Sequence, residues 1–349
     1  MANRITGSTD TTGAISVRPK SEKSLLLVCK STGNAVANTI YTVTGTADAI
    51  TKFGEEVAKL VKILINNGVD NIKCVSVGTT SNAEAYTSAM DASLADATIK
   101  VVIIDTTTVE IVTALKAHLN KAEGEDMFRY GVVGLTATTV EAAVTEAKSI
   151  NDKRMFAPFP HMVDSENKVL SGTHAAAGLA SLIMTETSDP AMPMNGVEFI
   201  GFGGTSLSLL KADKNSLEQG GVTAIVGNST PNVWRLVTTR TADEDENTDP
   251  IWHEGTTLFI ADDVLETVIG TLQSTYKRTK NTTRILDAIR TTVIGILEAK
   301  EGLEIIENFD KNTVSVIQDP EDIYGALVDY EFDVVTPLYT ITISQHMKL

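Results

Sequence analysis

The chain has 349 residues, 42% of them hydrophobic and 21% charged, which is enough for two or three domains with a sizeable core. Its formal net charge of −16 argues against a nucleic-acid-binding surface and against an anionic membrane as partner. No apolar run approaches a membrane span, and the opening "MANRITGSTDTTG" lacks the apolar core of a signal peptide.

Residues 1–22 are rich in Ser, Thr, Gly and charge and read as an N-terminal arm. They hold one short alternating piece, Ile15 and Val17, bracketed by Gly13 and Pro19. From residue 23 a compact α/β domain is expected, running to residue 190. "SLLLVC" reads as a buried strand and "TADAITKFGEEVAKLVKILINNG" as a helix stopped by Gly68. Strand and helix then alternate: "NIKCVSV" with "SNAEAYTSAMDASLAD", "IKVVIID" with "TTVEIVTALKAHLNKA", "FRYGVVGL" with "TTVEAAVTEAKSI", and "RMFAPF" with "GTHAAAGLASLIMTE". Several of these strands are apolar throughout, as in a sheet covered on both faces, so the fold class is a mostly parallel α/β layer sandwich. Cys29 and Cys74 sit in two of the strands and read as small core residues, not as a disulfide, which fits synthesis in a reducing cytoplasm.

The proline-bearing "TSDPAMPMNG" marks a division, and residues 191–336 read as an α+β C-terminal domain. It has strands at "GVEFIGF", "GVTAIVG" and "NVWRLVTTR", an acidic loop, helices over about 259–280 and 282–300, and strands at "NTVSVIQ" and "ALVDYEFDVV". Residues 337–349 form a C-terminal strand arm: Tyr339, Ile341 and Ile343 share one face, Thr340, Thr342 and Ser344 the other. No turn or returning strand follows to pair with it. Ordering about seven such residues costs roughly 1–2 kcal/mol each, and burying three side chains returns only about 1.5–3 kcal/mol each. A sheet edge elsewhere, with its ladder of hydrogen bonds, is therefore required, and Ile15 and Val17 need one still more.

Motifs for chemistry are sparse. "GFGGTS" has Ser206 where a dinucleotide loop needs its third glycine, and no Gly-Lys-Ser/Thr follows, so a glycine-lined bend is expected. In "DEDENTDPIWHE", Asp243, Asp245, Asn247, Asp249 and Glu254 occupy the oxygen-ligand positions of a calcium loop. Thr248 stands where that loop needs glycine, Pro250 interrupts, and a strand precedes it, so a solvated acidic loop and no metal is the reading. His118, His161, His174, His253 and His346 are scattered singly, with no Gly-x-Ser-x-Gly and no His-Glu-x-x-His. Asp105 ends a parallel strand, where a helix-capping role is expected. Lys277, Arg278, Lys280, Arg284 and Arg290 form a basic run in an acidic chain, readable as a solvated helix junction or as a patch meeting an acidic protein surface.

The C-terminal order, with "MNGVEF", "LEQGGVTAIVGN", "VWRLVTTRT", "IADDVLETVIGTLQSTYKRTKNT" and "VSVIQDPEDIYGALVDYEFDVVTPLYTITI", resembles the tail sheath proteins of contractile phage tails and of phage-tail-like particles such as R-type bacteriocins. The upstream unit, with "NDKRMFAPFP" and "THAAAGLASLIM", resembles that family's middle domain, named for a loose likeness to subtilisin. The likeness spans most of residues 24–345 and carries no protease residues across. It implies a non-enzymatic subunit without cofactors that stacks as hexameric rings around an inner tube. Baseplate and terminator proteins would be its further partners, in a particle assembled in the cytoplasm and released. It also implies terminal arms adding strands to neighbours' sheets, and a one-way contraction that drives the tube through an envelope without nucleotide hydrolysis. Ile15, Val17, Tyr339, Ile341 and Ile343 would then link subunits, and Lys277, Arg278, Lys280 and Arg284 would face the tube. The competing reading is an α/β enzyme or ligand-binding protein that oligomerises through its terminal strands.

Overall fold

The apolar run at Ser24–Cys29 becomes β1, at the centre of a six-stranded sheet, and its side chains alternate between two buried faces. Leu25, Leu27 and Cys29 enter one core, Leu26 and Val28 the other. The computed structural model describes residues 23–240, 250–339, 341 and 343–345.

In chain order, β1 is followed by β2 (Ile40–Val43), α1 (Thr46–Phe53), α2 (Glu55–Asn66), β3 (Ile72–Ser76), α3 (Ala83–Ala92), β4 (Ile99–Ile104), α4 (Val109–Glu123), β5 (Tyr130–Val132), α5 (Val140–Ile150) and β6 (Met155–Phe156). The sheet order is β2-β3-β1-β4-β5-β6, parallel throughout except for the edge strand β2. Among the parallel strands this is a doubly wound order, with the switch point between β1 and β4. Val57, Val61 and Leu64 of α2 cover one face, and Tyr86, Met90, Ile111 and Leu115 of α3 and α4 the other.

Short strands β7 (Pro158–Phe159) and β8 (Met162–Val163) lead into α6 (Gly172–Glu186). This helix is apolar on every side and buried along most of its length, as expected for one enclosed in the body. Its start lies directly on the end of β5. A Cβ on Gly134 would stand 2.3 Å from the Gly172 backbone, so neither position admits a side chain.

β9 (Gly204–Thr205), α7 (Lys211–Gln219), β10 (Thr223–Val226) and β11 (Asn232–Arg235) follow, and a small sheet of order β11-β10-β7 joins them to the body. Met194, Phe199, Leu217, Ala224, Ile225 and Leu236 belong to the two cores of the main sheet, so these cores draw on both sides of the expected division at residue 190. "GVEFIGF" does not become a strand. Gly196 and Gly201 both take positive φ, and Phe199 turns into the core against Gly178, leaving only an isolated bridge from Glu198 to Asn232.

The two C-terminal helices are α8 (Gly255–Thr275) and α9 (Thr283–Gly302). After them come β12 (Ile306–Glu307), β13 (Ser315–Gln318), β14 (Ala326–Asp329) and β15 (Asp333–Val334), paired as β12 with β15 and β13 with β14. α8 serves three apolar clusters. Leu258 and Phe259 lie in the main core, and Ile260, Val264, Val268 and Leu272 pack with Val293, Leu297 and Ile306. Leu265 and Ile269 close on Phe128.

One buried polar group fixes that docking. Arg154, fully buried, forks onto Asp262 of α8, with Nη1 to Oδ2 at 2.7 Å and Nη2 to Oδ1 at 3.0 Å. Its Nη2 also donates to Glu123 at 2.9 Å, and Tyr130 donates its hydroxyl to Asp262 at 2.8 Å. Removing one partner of such a pair leaves a buried charge uncompensated. Asp262→Ala is therefore expected to lower unfolding free energy by about 3–5 kcal/mol in urea titrations. The double variant Arg154→Met with Asp262→Leu should lose much less, because both desolvated charges disappear together.

Candidate functional site

In a doubly wound sheet the strand ends at the switch point are where ligands usually sit. Here that place is filled by the protein's own bonds. Asp105, just past β4, accepts from the Lys30 backbone N–H at 2.8 Å and from the Tyr86 hydroxyl. Burial raises its carboxyl above the usual range, against the lowering effect of those two bonds. It does not cap α4, which begins after Thr108 without a side-chain cap. The carboxylate instead ties the end of β1 to α3, a correction to the capping role expected from sequence.

The histidines stay apart. His161 binds the Leu135 carbonyl at 2.8 Å through Nε2, and His174 lies beside Ser171 at a helix start. His118 is buried with Nε2 2.9 Å from the Arg129 guanidinium. Arginine only donates, so this nitrogen accepts and the imidazole is neutral. Burial, and then the positive Arg129, push its pKa down to about 4. His346 lies outside the described residues. Among the described residues, no group of three or more His, Cys, Asp or Glu is placed to hold a metal. Cys29 and Cys74 are both buried and free.

In "GFGGTS" the glycines allow two backbones to meet. A Cβ on Gly204 would fall 1.8 Å from the Asn228 carbonyl oxygen, and Thr205 donates its hydroxyl to Gly227 O at 2.8 Å. Asp243, Asp245, Asn247 and Asp249 of the acidic run lie outside the described residues. Glu254, the last of that set, precedes α8 and accepts from Arg235 Nε and from the Tyr339 hydroxyl, each at 2.9 Å.

The basic run divides. Arg290 turns its guanidinium to the carbonyls of Val314 (2.7 Å) and Lys311 (2.8 Å), where it braces the approach to β13. Lys277, Arg278, Lys280 and Arg284 are exposed around the α8–α9 turn. Asn281 in that turn donates to Ile323 O and Gly325 O, at 3.3 and 2.9 Å, so the basic turn and the β13–β14 loop form one surface. That loop exposes Ile323 and Tyr324, and the paired Ile317 and Leu327 of the hairpin are exposed too. Beyond β15 the described residues form no strand with this chain. Ile341 and Ile343 are 75% and 86% exposed, whereas Tyr339 is half-buried on the body. Ile15 and Val17 lie outside the described residues.

The polar joins at Arg154–Asp262 and at Arg235–Glu254–Tyr339 went unread in the sequence. Only the first left a trace: Asp262 interrupts the apolar stripe Leu258, Leu265 and Ile269 of α8.

No family model and no curated protein matches the chain by sequence. Solved structures do match in fold. The anti-feeding prophage helical sheath in its contracted state gives a TM-score of 0.73 at 14% identity, covering 98% of both chains. The contracted PVC sheath complex of an extracellular contractile injection system gives 0.72 at 12% identity, again over 98% of both. A sheath tail protein from Desulfitobacterium hafniense gives 0.70 at 9% identity, over 94% of this chain and 100% of that one. The chain thus has a mixed α/β fold with a largely parallel sheet, and it is the fold of tail sheath proteins over nearly its whole length.

The buried imidazole gives a pH dependence of stability. An unfolded His118 takes up a proton near pH 6.5 and the folded one only near 4. The unfolded state therefore gains protons first as pH falls. Stability is expected to decline from about pH 6.5 to 4 by this group. In His118→Gln, urea midpoints measured across that interval should fall less steeply than in the parent.

Proposed function

We propose that this protein is the structural sheath subunit of a contractile tail or tail-like particle, acting without catalysis or nucleotide hydrolysis. Copies assemble as stacked hexameric rings around an inner tube, with baseplate and terminator proteins at the ends. Contraction of the cylinder drives the tube through a target envelope. The carrying observation is the likeness to contracted helical sheaths over 98% of both chains. Two local features support it. The sheet's switch point is occupied by Asp105, Tyr86 and Lys30, and the apolar arm residues Ile341 and Ile343 are exposed with no strand partner among the described residues.

The division into an N-terminal arm (1–22), an α/β body (23–190), an α+β unit (191–336) and a C-terminal arm (337–349) is part of the same reading. The arms bring Ile15, Val17, Ile341 and Ile343 to sheets of other copies, while Tyr339, expected to join them, bonds to Glu254 of its own chain. A two-stranded ribbon is marginal alone, and β13–β14, with Ile317 and Leu327 exposed, has edges unpaired among the described residues that an arriving strand would extend. Lys277, Arg278, Lys280 and Arg284 face an acidic surface of the tube.

Electron microscopy of the purified protein is expected to show rings or long cylinders. A truncation lacking residues 337–349 should give a folded, soluble body that forms none, and cylinders of normal length from it would refute strand exchange. Reversing charge at Lys277 and Arg278 together should weaken cosedimentation with the tube protein at low salt and leave the body's unfolding midpoint unchanged. Unaltered cosedimentation would remove this turn as the tube contact.

A further inference from the structure

Three segments far apart in sequence meet at one carboxylate. Glu254, just before α8, accepts the Arg235 Nε–H on Oε2 and the Tyr339 O–H on Oε1, each at 2.9 Å. Arg235 extends from β11, lies 4.8 Å over the Tyr339 ring, and pairs with Glu218 of α7 on its other side. Burial raises the Glu254 carboxyl against the lowering effect of Arg235, and burial beside Glu254 raises the Tyr339 phenol well above its usual range. The phenol is therefore a donor, and the carboxylate has little solvent to substitute for it. A cation over an aromatic face and a charge-assisted hydrogen bond hold the same ring from two directions.

On either side of Tyr339 the segment is open to solvent. Leu338, Ile341 and Ile343 are all largely exposed. Ile341 and Ile343 alternate with Tyr339 in sequence yet are exposed, so among the described residues Tyr339 is the last one seated on the body.

We infer that Tyr339 is a clasp that pins the root of the C-terminal arm to its own subunit, through Glu254 and Arg235, and that only residues 340–349 are given to another copy. The destination of those residues rests on the sheath reading; the clasp itself does not. Tyr339 is a positioning residue: it fixes the point and direction from which the arm departs, and so the length of chain available to span to a neighbour. An unclasped arm starts its reach from further back, samples more directions, and meets a neighbour's edge at a lower effective concentration.

The direct test uses the unassembled full chain. Cys29 and Cys74 are buried, so spin labels attach selectively at Ile341→Cys and at Ser216→Cys on the exposed side of α7. The pulsed electron–electron distance distribution is expected to be narrow with Tyr339 present, broader in Tyr339→Phe, which keeps the ring, and broadest in Tyr339→Ala. Identical distributions in all three overturn the clasp. Unfolding midpoints for the two variants check that the body is intact.

Assembly is read separately. Tyr339→Ala should raise the protein concentration at which cylinders first appear about tenfold, the factor matching one such hydrogen bond. A chain ending at Tyr339 should keep the clasp and form no cylinders. If the parent chain forms none, the sheath reading fails and the distance distributions still decide the clasp.

Discussion

An arginine without water must have its acid, and in this chain the acid comes from another part of the structure. Arg154 stands immediately before β6 and Asp262 on α8, and neither is tolerable in the interior alone. Their two-pronged bond sets both the depth and the rotation of α8 on the sheet. Tyr130 and Glu123 add two further bonds to the pair and leave only Nε of the Arg154 guanidinium without a partner among the described residues. Once α8 is set, its apolar residues follow. Leu258 and Phe259 complete the main core, and Val264, Val268 and Leu272 begin the C-terminal one.

What lies beyond α8 is built with less margin. The α8–α9 pair buries one apolar stripe, while the β13–β14 ribbon leaves most of its residues exposed. An exposed ribbon with Ile317 and Leu327 on its surface is a hazard for a lone subunit, since unpaired edges recruit strands. The net charge of −16 opposes indiscriminate pairing between copies, and Glu307, Asp319, Glu321, Asp322, Asp329 and Asp333 surround the same region. On the sheath reading these are complementary. Repulsion keeps free subunits apart, and the geometry of a growing cylinder supplies the strand that overcomes it.

The α/β body was legible because its signals are local. Apolar strands such as "SLLLVC" and "IKVVIID" alternate with helices closed by polar starts and glycine stops, and the structure places a strand or helix at nearly every one. "GVEFIGF" misled because Phe199 serves the core from a loop held open by positive-φ glycines, which periodicity cannot distinguish from a short strand. The alternation at 338–344 was real as a pattern, but a strand also needs a partner, and none is supplied by this chain among the described residues. Tyr339 shows the limit most clearly. Its partners Arg235 and Glu254 are 104 and 85 residues away, and nothing local in any of the three segments announces the meeting. Glu254 had drawn notice only as the last position of a calcium-like run, whereas its carboxylate serves two side chains of this protein.

The same carboxylate logic runs along α8. Asp262 and Glu266 are one helical turn apart and face the body, where they meet Arg154 and Lys100. Asp263, on the next face, meets Lys300 of α9. Glu254, at the head of the helix, carries Arg235 and the root of the arm. Three acidic residues on α8 and a fourth just before it thus bind the sheet, the second helix and the root of the C-terminal arm to a single rod. A helix resists bending far better than the loops flanking it, so a displacement imposed on the C-terminal unit passes to the body as a whole instead of dissipating at a hinge. On the sheath reading, in which short strands link the copies, this rigidity would keep the links as the moving parts. On the same reading, a loosely seated α8 would let the strain of contraction open the subunit before it shifted its neighbours.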